Sequence, residues 1–155
     1  MAFYERSAKN SHLDTIRYEI GMLSYCYREF TRTKHPQPLQ NLLIEGFLLH
    51  FRNVVEFFSG KRHRLSSSGA PADLSTARPE VWARRQLIGS EVEAIQKPSQ
   101  NLEDQYFRDI SQYLQHWTER RFDEFKGWDI TKMKDAIAPI VRAFLESFCT
   151  ADLEN

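Results

Sequence analysis

The chain has 155 residues and equal numbers of basic and acidic side chains, 21 of each, so its formal net charge is zero. This length suits one domain that buries roughly 70% of the surface exposed by its unfolded form, with no need of a disulfide or a metal. The neutral balance argues against a general binder of nucleic acid or of membrane surfaces, since such proteins carry excess positive charge.

The first predicted helix starts near Ser11, where Ser11 and Asp14 have the spacing of a capping box. The helix is expected to end before Pro36, because the proline ring disfavours helical backbone at the residue before it. Apolar residues recur every three or four positions along it, namely Leu13, Ile16, Ile20, Leu23, Tyr27 and Phe30. The short link to the next helix predicts an antiparallel helical hairpin.

The second predicted helix, residues 37–58, is the one around which we expect the chain to fold. Apolar side chains occupy nearly every side of it, which is typical of a helix in a protein interior. Pro38 suits its first turn, where a missing N–H costs no hydrogen bond. Glu45, Arg52 and Glu56 are seven and four residues apart, so they form a single charged stripe on this helix.

Residues 59–78 have almost no periodic apolar content and are rich in Ser, Ala and Gly. We interpret this stretch as a long loop, and loops of this length are often functional or mobile. The loop begins with a basic cluster formed by Lys61, Arg62, His63 and Arg64.

Two further helices are predicted on either side of Pro98. Pro79 can open the first of them, which Pro98 would end. Asn101 can cap the second, and Gly127 can end it.

The last helix is predicted over residues 130–151, with a kink caused by Pro139 inside the apolar pattern. No strand-like alternation and no internal repeat is found in the sequence. The chain therefore predicts an all-α domain over residues 11–153. We expect an antiparallel up-and-down bundle of four long helices plus one shorter helix.

Several kinds of site are disfavoured by the residue spacings. A di-iron or di-manganese bundle needs Glu-x-x-His on two helices, and no Glu here has His three residues further on. Cys26 and Cys149 lie in apolar helical patterns, which favours buried free thiols in a reducing compartment over reactive thiolates or a disulfide. There is no glycine-rich phosphate loop, nucleophile elbow or dinucleotide fingerprint. We expect no metal and no cofactor.

The compartment is indicated by what the sequence lacks. The N-terminal residues 1–12 are too polar for a secretory signal, and no apolar run approaches the roughly 20 residues of a membrane span. These features predict a cytoplasmic protein that has no membrane segment.

Two interpretations of the charged stripe remain open. In the first, Arg52 pairs with Glu56 at i+4 and the two carboxylates of Glu45 and Glu56 satisfy the guanidinium. In the second, Arg52 and Asn53 line a polar pocket covered by the basic cluster of the loop. Such a pocket would bind an anionic ligand such as a nucleotide or an RNA phosphate.

The run FLLHFRNVVEFF, with Arg52 and Asn53 inside a buried helix of a small bundle, resembles the HEPN superfamily of helical domains. Many HEPN domains are ribonucleases of toxin–antitoxin and phage-defence systems, and others are nucleotide-binding or inactive partners. Their active motif is Arg, a polar residue such as Asn, and then His. Arg52 and Asn53 match the first two places, but Phe57, Phe58 and Ser59 stand where the His is expected.

The departure from the motif decides our functional hypothesis. His63 comes four residues too late, so the group that would take the ribose 2′-hydroxyl proton is missing from its expected position. We therefore predict a non-catalytic HEPN-like module for protein interaction or for binding an anionic ligand, and the resemblance implies a homodimer. The alternatives are a metal-independent endoribonuclease that uses Arg52, Asn53 and His63, and a purely structural partner protein.

Overall fold

A computed structural model describes residues 12–60, 89–114 and 127–152. These ranges form four helices, which we number α1 (His12–Arg32), α2 (Gln37–Ser59), α3 (Gly89–Leu114) and α4 (Ile130–Asp152). The described residues contain no strand, so the all-α prediction is confirmed. None of the four helices is long and apolar enough to cross a membrane.

The ends of α2 follow from prolines and a glycine. The helix starts directly after Pro36 and carries Pro38 in its first turn. A backbone N–H in the first turn has no hydrogen-bond acceptor within the helix, so the proline costs no helical hydrogen bond there. Gly60 ends it in the left-handed conformation, with φ of 63°, which glycine adopts without a Cβ clash. The boundaries predicted for the first, second and last helices are confirmed to within a few residues.

The predicted break at Pro98 is wrong, because α3 runs through it without interruption. Pro98 is exposed and removes one backbone hydrogen bond, while the hydroxyl of the next residue, Ser99, donates to the carbonyl of Ile95 at 2.7 Å. Ile95 and Leu102 are buried on either side of the proline. Their burial stabilises the helix by about 1.5–3 kcal/mol each, which offsets the roughly 3 kcal/mol cost of an interior proline.

As a result, the described residues contain one long helix where two were predicted, and a fifth helix is not seen among them. The outer ends of the two predicted helices, residues 79–88 and 115–126, lie outside the described ranges. So does the predicted loop from residue 61 onwards.

Contacts between the helices fix their directions. Near its middle, α2 meets α1 at Gly46, where an added Cβ would lie 3.0 Å from the Cys26 sulfur. Near its end, α2 meets α1 again at Asn53, whose partner is Glu19, so the two helices are antiparallel as predicted. The end of α2 also contacts the start of α3, where the Gln100 amide donates to the Ser59 carbonyl.

An aromatic cluster forms the centre of the core. The rings of Phe58 on α2 and Phe144 on α4 have centroids 4.9 Å apart, and Phe51 meets Tyr106 of α3 edge-on at 5.6 Å. Large side chains with almost no exposed surface surround them, including Phe47, Leu48, Val54, Val55, Ile95, Ile110 and Met133.

The expectation that α2 is buried on all sides needs correction. Ten of its residues are buried, but Leu39, Leu42 and Leu49 are 38%, 62% and 47% exposed. The apolar pattern does form a helix, but no described element covers the side of α2 that carries these three leucines. These three leucines therefore present apolar side chains at the surface of α2.

Candidate functional site

Arg52 is directed towards α3. Its Nε lies 3.8 Å from Oε2 of Glu56, and its guanidinium carbon lies 5.7 Å from the centroid of the Phe107 ring. The Arg52 and Glu56 side chains are 22% and 25% exposed, so the pair is largely shielded from water. The i,i+4 ion pair of the first interpretation is therefore present. Glu45 lies seven residues before Arg52 on the same face of α2 and is partly buried.

Asn53 is directed the other way, towards α1. Its side-chain amide donates to Oε2 of Glu19 at 2.9 Å. Arg52 and Asn53 are neighbours in sequence but contact different helices, so the described geometry does not place them together in one polar pocket. The basic cluster of residues 61–64, which includes His63, lies outside the described residues.

A polar cluster between α1 and α2 consists of Glu19, His50 and Asn53, and sequence reasoning missed it. Nδ1 of His50 lies 2.7 Å from the same Glu19 oxygen that accepts from Asn53. The His50 and Glu19 side chains are only 11% and 13% exposed, and the Tyr18 ring packs edge-on against the imidazole at 6.0 Å. The carboxylate therefore orients the imidazole and joins the two helices.

A weak signal for this cluster exists in the sequence. Glu19 is an acid within the inward apolar stripe of α1, three residues after Ile16 and four before Leu23. His50 is likewise a polar residue in the apolar stretch of α2. Two such residues on adjacent antiparallel helices suggest a partnership, because buried polar groups are almost always hydrogen-bonded.

His50 does not stand in for the histidine of the ribonuclease motif. It precedes Arg52 by two residues, a rotation of about 200° around the helix, so the two side chains leave α2 on nearly opposite sides. Its Nδ1 is held by Glu19 on the α1 side. Among the described residues, no group of three or more His, Cys, Asp or Glu side chains comes together to hold a metal ion.

The edge between α1 and α2 carries five large apolar side chains with much exposed surface: Tyr18, Tyr25, Leu39, Leu42 and Leu49. We call this set the outer face. Tyr25 follows the buried Leu23 by two residues and Leu49 follows the buried Phe47 by two, so both point away from the core.

A groove between α1 and α4 is the second open apolar feature. It has a volume of about 360 Å³ and is lined by neither Arg52 nor Asn53. Apolar side chains from both helices form its floor, and Lys134, Arg142 and Glu146 stand among its polar lining residues.

Comparisons with protein-family models, with curated proteins and with solved structures found no match for this chain. The resemblance to HEPN domains therefore remains a prediction from the motif residues, and the functional reading depends on the geometry described above.

Proposed function

We propose that this chain is a non-catalytic, HEPN-like helical module that acts through protein interaction, and that its outer face binds a second copy of the same chain. The observation that carries this proposal is the outer face itself. Its five large side chains are between 37% and 62% exposed and come from two adjacent helices. Single exposed apolar residues are ordinary, but contiguous apolar patches mark interaction surfaces.

The size of the face fits a dimer interface. A helix of 21 to 23 residues is about 30 Å long, and two helices side by side are roughly 20 Å wide. The face therefore offers roughly 600 Å² per copy, which gives about 1,200 Å² for a pair. This is the lower end of the range for specific protein interfaces.

The charge of the chain favours a second copy as the occupant. Because the formal net charge is zero, two copies have no long-range repulsion to overcome. A two-fold interface brings the same patch together from both copies, and an apolar patch is complementary to itself. The HEPN resemblance implies the same arrangement, since HEPN-type domains often form dimers.

The surroundings of Arg52 and Asn53 favour interaction over chemistry. Arg52 is paired with Glu56 and lies over Phe107, and Asn53 is bound to Glu19. An anionic ligand at these positions would have to displace those contacts. The ribonuclease hypothesis needs His63 beside Arg52, and His63 lies outside the described residues, so that hypothesis stays a prediction.

The test is the mass of the chain in solution, measured by size-exclusion chromatography with light scattering. Wild type is expected at about twice the chain mass of 18.3 kDa. A Leu42→Glu/Leu49→Glu double variant is expected at the mass of one chain, because the two copies would bring four carboxylates into the interface. Both residues are exposed within a single copy, so the fold should tolerate the change.

The matched control is Leu145→Glu, which changes a leucine that is 37% exposed on α4 and not part of the outer face. This variant is expected to remain dimeric. A wild-type chain that stays monomeric at concentrations of tens of micromolar would overturn the proposal. A dimer that survives the double substitution would do the same.

A further inference from the structure

The groove between α1 and α4 has the form of a small-molecule site. Its volume of about 360 Å³ lies within the range of about 300–1,000 Å³ typical of ligand pockets. The floor is apolar and is formed by side chains of both helices, namely Ile20, Leu23, Ile137, Val141 and Leu145. An apolar floor of this volume suits a single hydrocarbon chain.

The polar groups of the groove are few, and two of them are cations. The Lys134 ammonium is already 2.9 Å from the Asp135 carboxylate and lies 5.5 Å from the Tyr27 ring centroid. Arg142 is exposed, and it takes part in none of the ion pairs found among the described residues. It stands eight residues after Lys134 on α4, about 12 Å further along the helix. Arg142 is therefore the cation available to a ligand.

We propose that this groove binds a long-chain carboxylate. The hydrocarbon chain lies on the apolar floor, and the carboxylate accepts hydrogen bonds from the Arg142 guanidinium, whose planar fork matches its two oxygens. Burial of the chain supplies most of the affinity, because each CH₂ group removed from water contributes favourably. The guanidinium fixes which end of the groove the headgroup occupies.

The groove is independent of the proposed dimer. The outer-face residues Tyr18 and Tyr25 leave α1 on the side turned away from Ile16 and Leu23, and Leu23 belongs to the groove floor. Binding in the groove is therefore expected whether the chain is a dimer or a monomer, and the two proposals can fail separately.

The test is isothermal titration calorimetry of the full chain with dodecanoate, below the concentration at which dodecanoate forms micelles. Saturable binding at about one molecule per chain is expected. Dodecanol, which has the chain without the charge, is expected to bind about ten-fold more weakly, and butyrate, which has the charge without the chain, is expected not to bind measurably.

Three variants locate the site. Arg142→Gln is expected to weaken dodecanoate binding about ten-fold and to leave dodecanol binding unchanged, a loss that corresponds to about 1.4 kcal/mol. Leu145→Glu is expected to weaken the binding of both. Arg108→Gln, which changes an exposed arginine on α3 away from the groove, is the matched control and is expected to change neither.

Several results would overturn the proposal. Absence of saturable dodecanoate binding would show that the groove does not bind a long-chain carboxylate. Binding that is unaffected by Leu145→Glu would place the hydrocarbon chain elsewhere. Equal affinities for dodecanoate and dodecanol would show that Arg142 does not bind the carboxylate. Because each variant changes an exposed residue, its unfolding curve should match that of wild type and show that the fold is intact.

Discussion

Replacement of Glu19 by Ala is expected to destabilise the fold far more than replacement of an ordinary helix carboxylate. One oxygen of Glu19 accepts hydrogen bonds from Nδ1 of His50 at 2.7 Å and from the Asn53 amide at 2.9 Å. Removal of the carboxylate leaves two shielded donors on α2 without this acceptor. It also removes the polar link described between α1 and α2.

The size of the effect follows from the burial of the cluster. A hydrogen bond to a charged group contributes about 1.5–3 kcal/mol, and an unsatisfied buried donor costs about 1–3 kcal/mol. The His50 and Glu19 side chains are 11% and 13% exposed, so water replaces only part of the lost bonding. We expect Glu19→Ala to lower the free energy of unfolding by about 2–4 kcal/mol. Asn53→Ala should cost about 1 kcal/mol, because Glu19 keeps its bond to His50.

The assay is urea unfolding followed by circular dichroism. The matched control is Glu29→Ala on the same helix, whose carboxylate is 3.6 Å from Arg28 in a pair that is 49% and 30% exposed. That control should cost no more than about 0.5 kcal/mol. In the Glu19→Ala background, Asn53→Ala should lose most of its effect, which gives a coupling energy of about 1 kcal/mol. If Glu19→Ala costs no more than Glu29→Ala, the cluster does not stabilise the hairpin.

Three further predictions concern single positions. Gly21→Ala should raise the free energy of unfolding by about 0.5–1 kcal/mol, because a Cβ there meets no atom within 4 Å. Gly46→Ala should raise it less, because its Cβ would lie 3.0 Å from the Cys26 sulfur. Equal increases for the two variants in urea unfolding would contradict this prediction. Pro98→Ala should add about 2 kcal/mol by restoring a helical N–H, and a loss of stability would show that α3 depends on the proline. Burial raises the pKa of the Cys26 thiol. In a Cys149→Ser variant at pH 8, the Cys26 thiol should therefore react with a disulfide reagent much more slowly in the native protein than in urea. Equal reaction rates would refute the burial of Cys26.

Local pattern was enough to predict three of the four described helices. In α1 and α4 the apolar residues recur at helical spacing, and Pro36 and Gly60 mark the two ends of α2. Pro98 misled the prediction because a proline is a local signal, while the burial of Ile95 and Leu102 that keeps α3 continuous is a tertiary effect. Propensity alone cannot weigh one against the other.

The candidate sites were predicted less well, for a related reason. Periodicity shows that one side of a helix is apolar, but it does not show whether another element covers that side. For this reason, α2 was expected to be buried all round, and the exposure of Leu42 and Leu49 became visible only in the folded chain. The Glu19–Asn53 contact joins residues 34 positions apart, and no local pattern specifies such a pair.

The charged stripe of Glu45, Arg52 and Glu56 could be predicted in part. Its ion pair with Glu56 depends only on helical spacing, so it could be predicted from the sequence. The direction in which Asn53 points depends on where α1 packs, so the sequence alone left open whether Asn53 shares a polar pocket with Arg52.

Solvent access to the methyl groups of Leu42 and Leu49 tests the proposed interface most directly. In an NMR experiment with methyl-labelled leucines and a soluble paramagnetic agent, the resonance of each methyl group is broadened according to its exposure to solvent. Within a single copy these residues are 62% and 47% exposed, compared with 37% for Leu145. If a second copy covers the outer face, the methyl resonances of Leu42 and Leu49 will be broadened less than those of Leu145. If these resonances are instead broadened more than those of Leu145, as the exposures within one copy would give, the outer face is open to water. In that case the proposed dimer does not form through it.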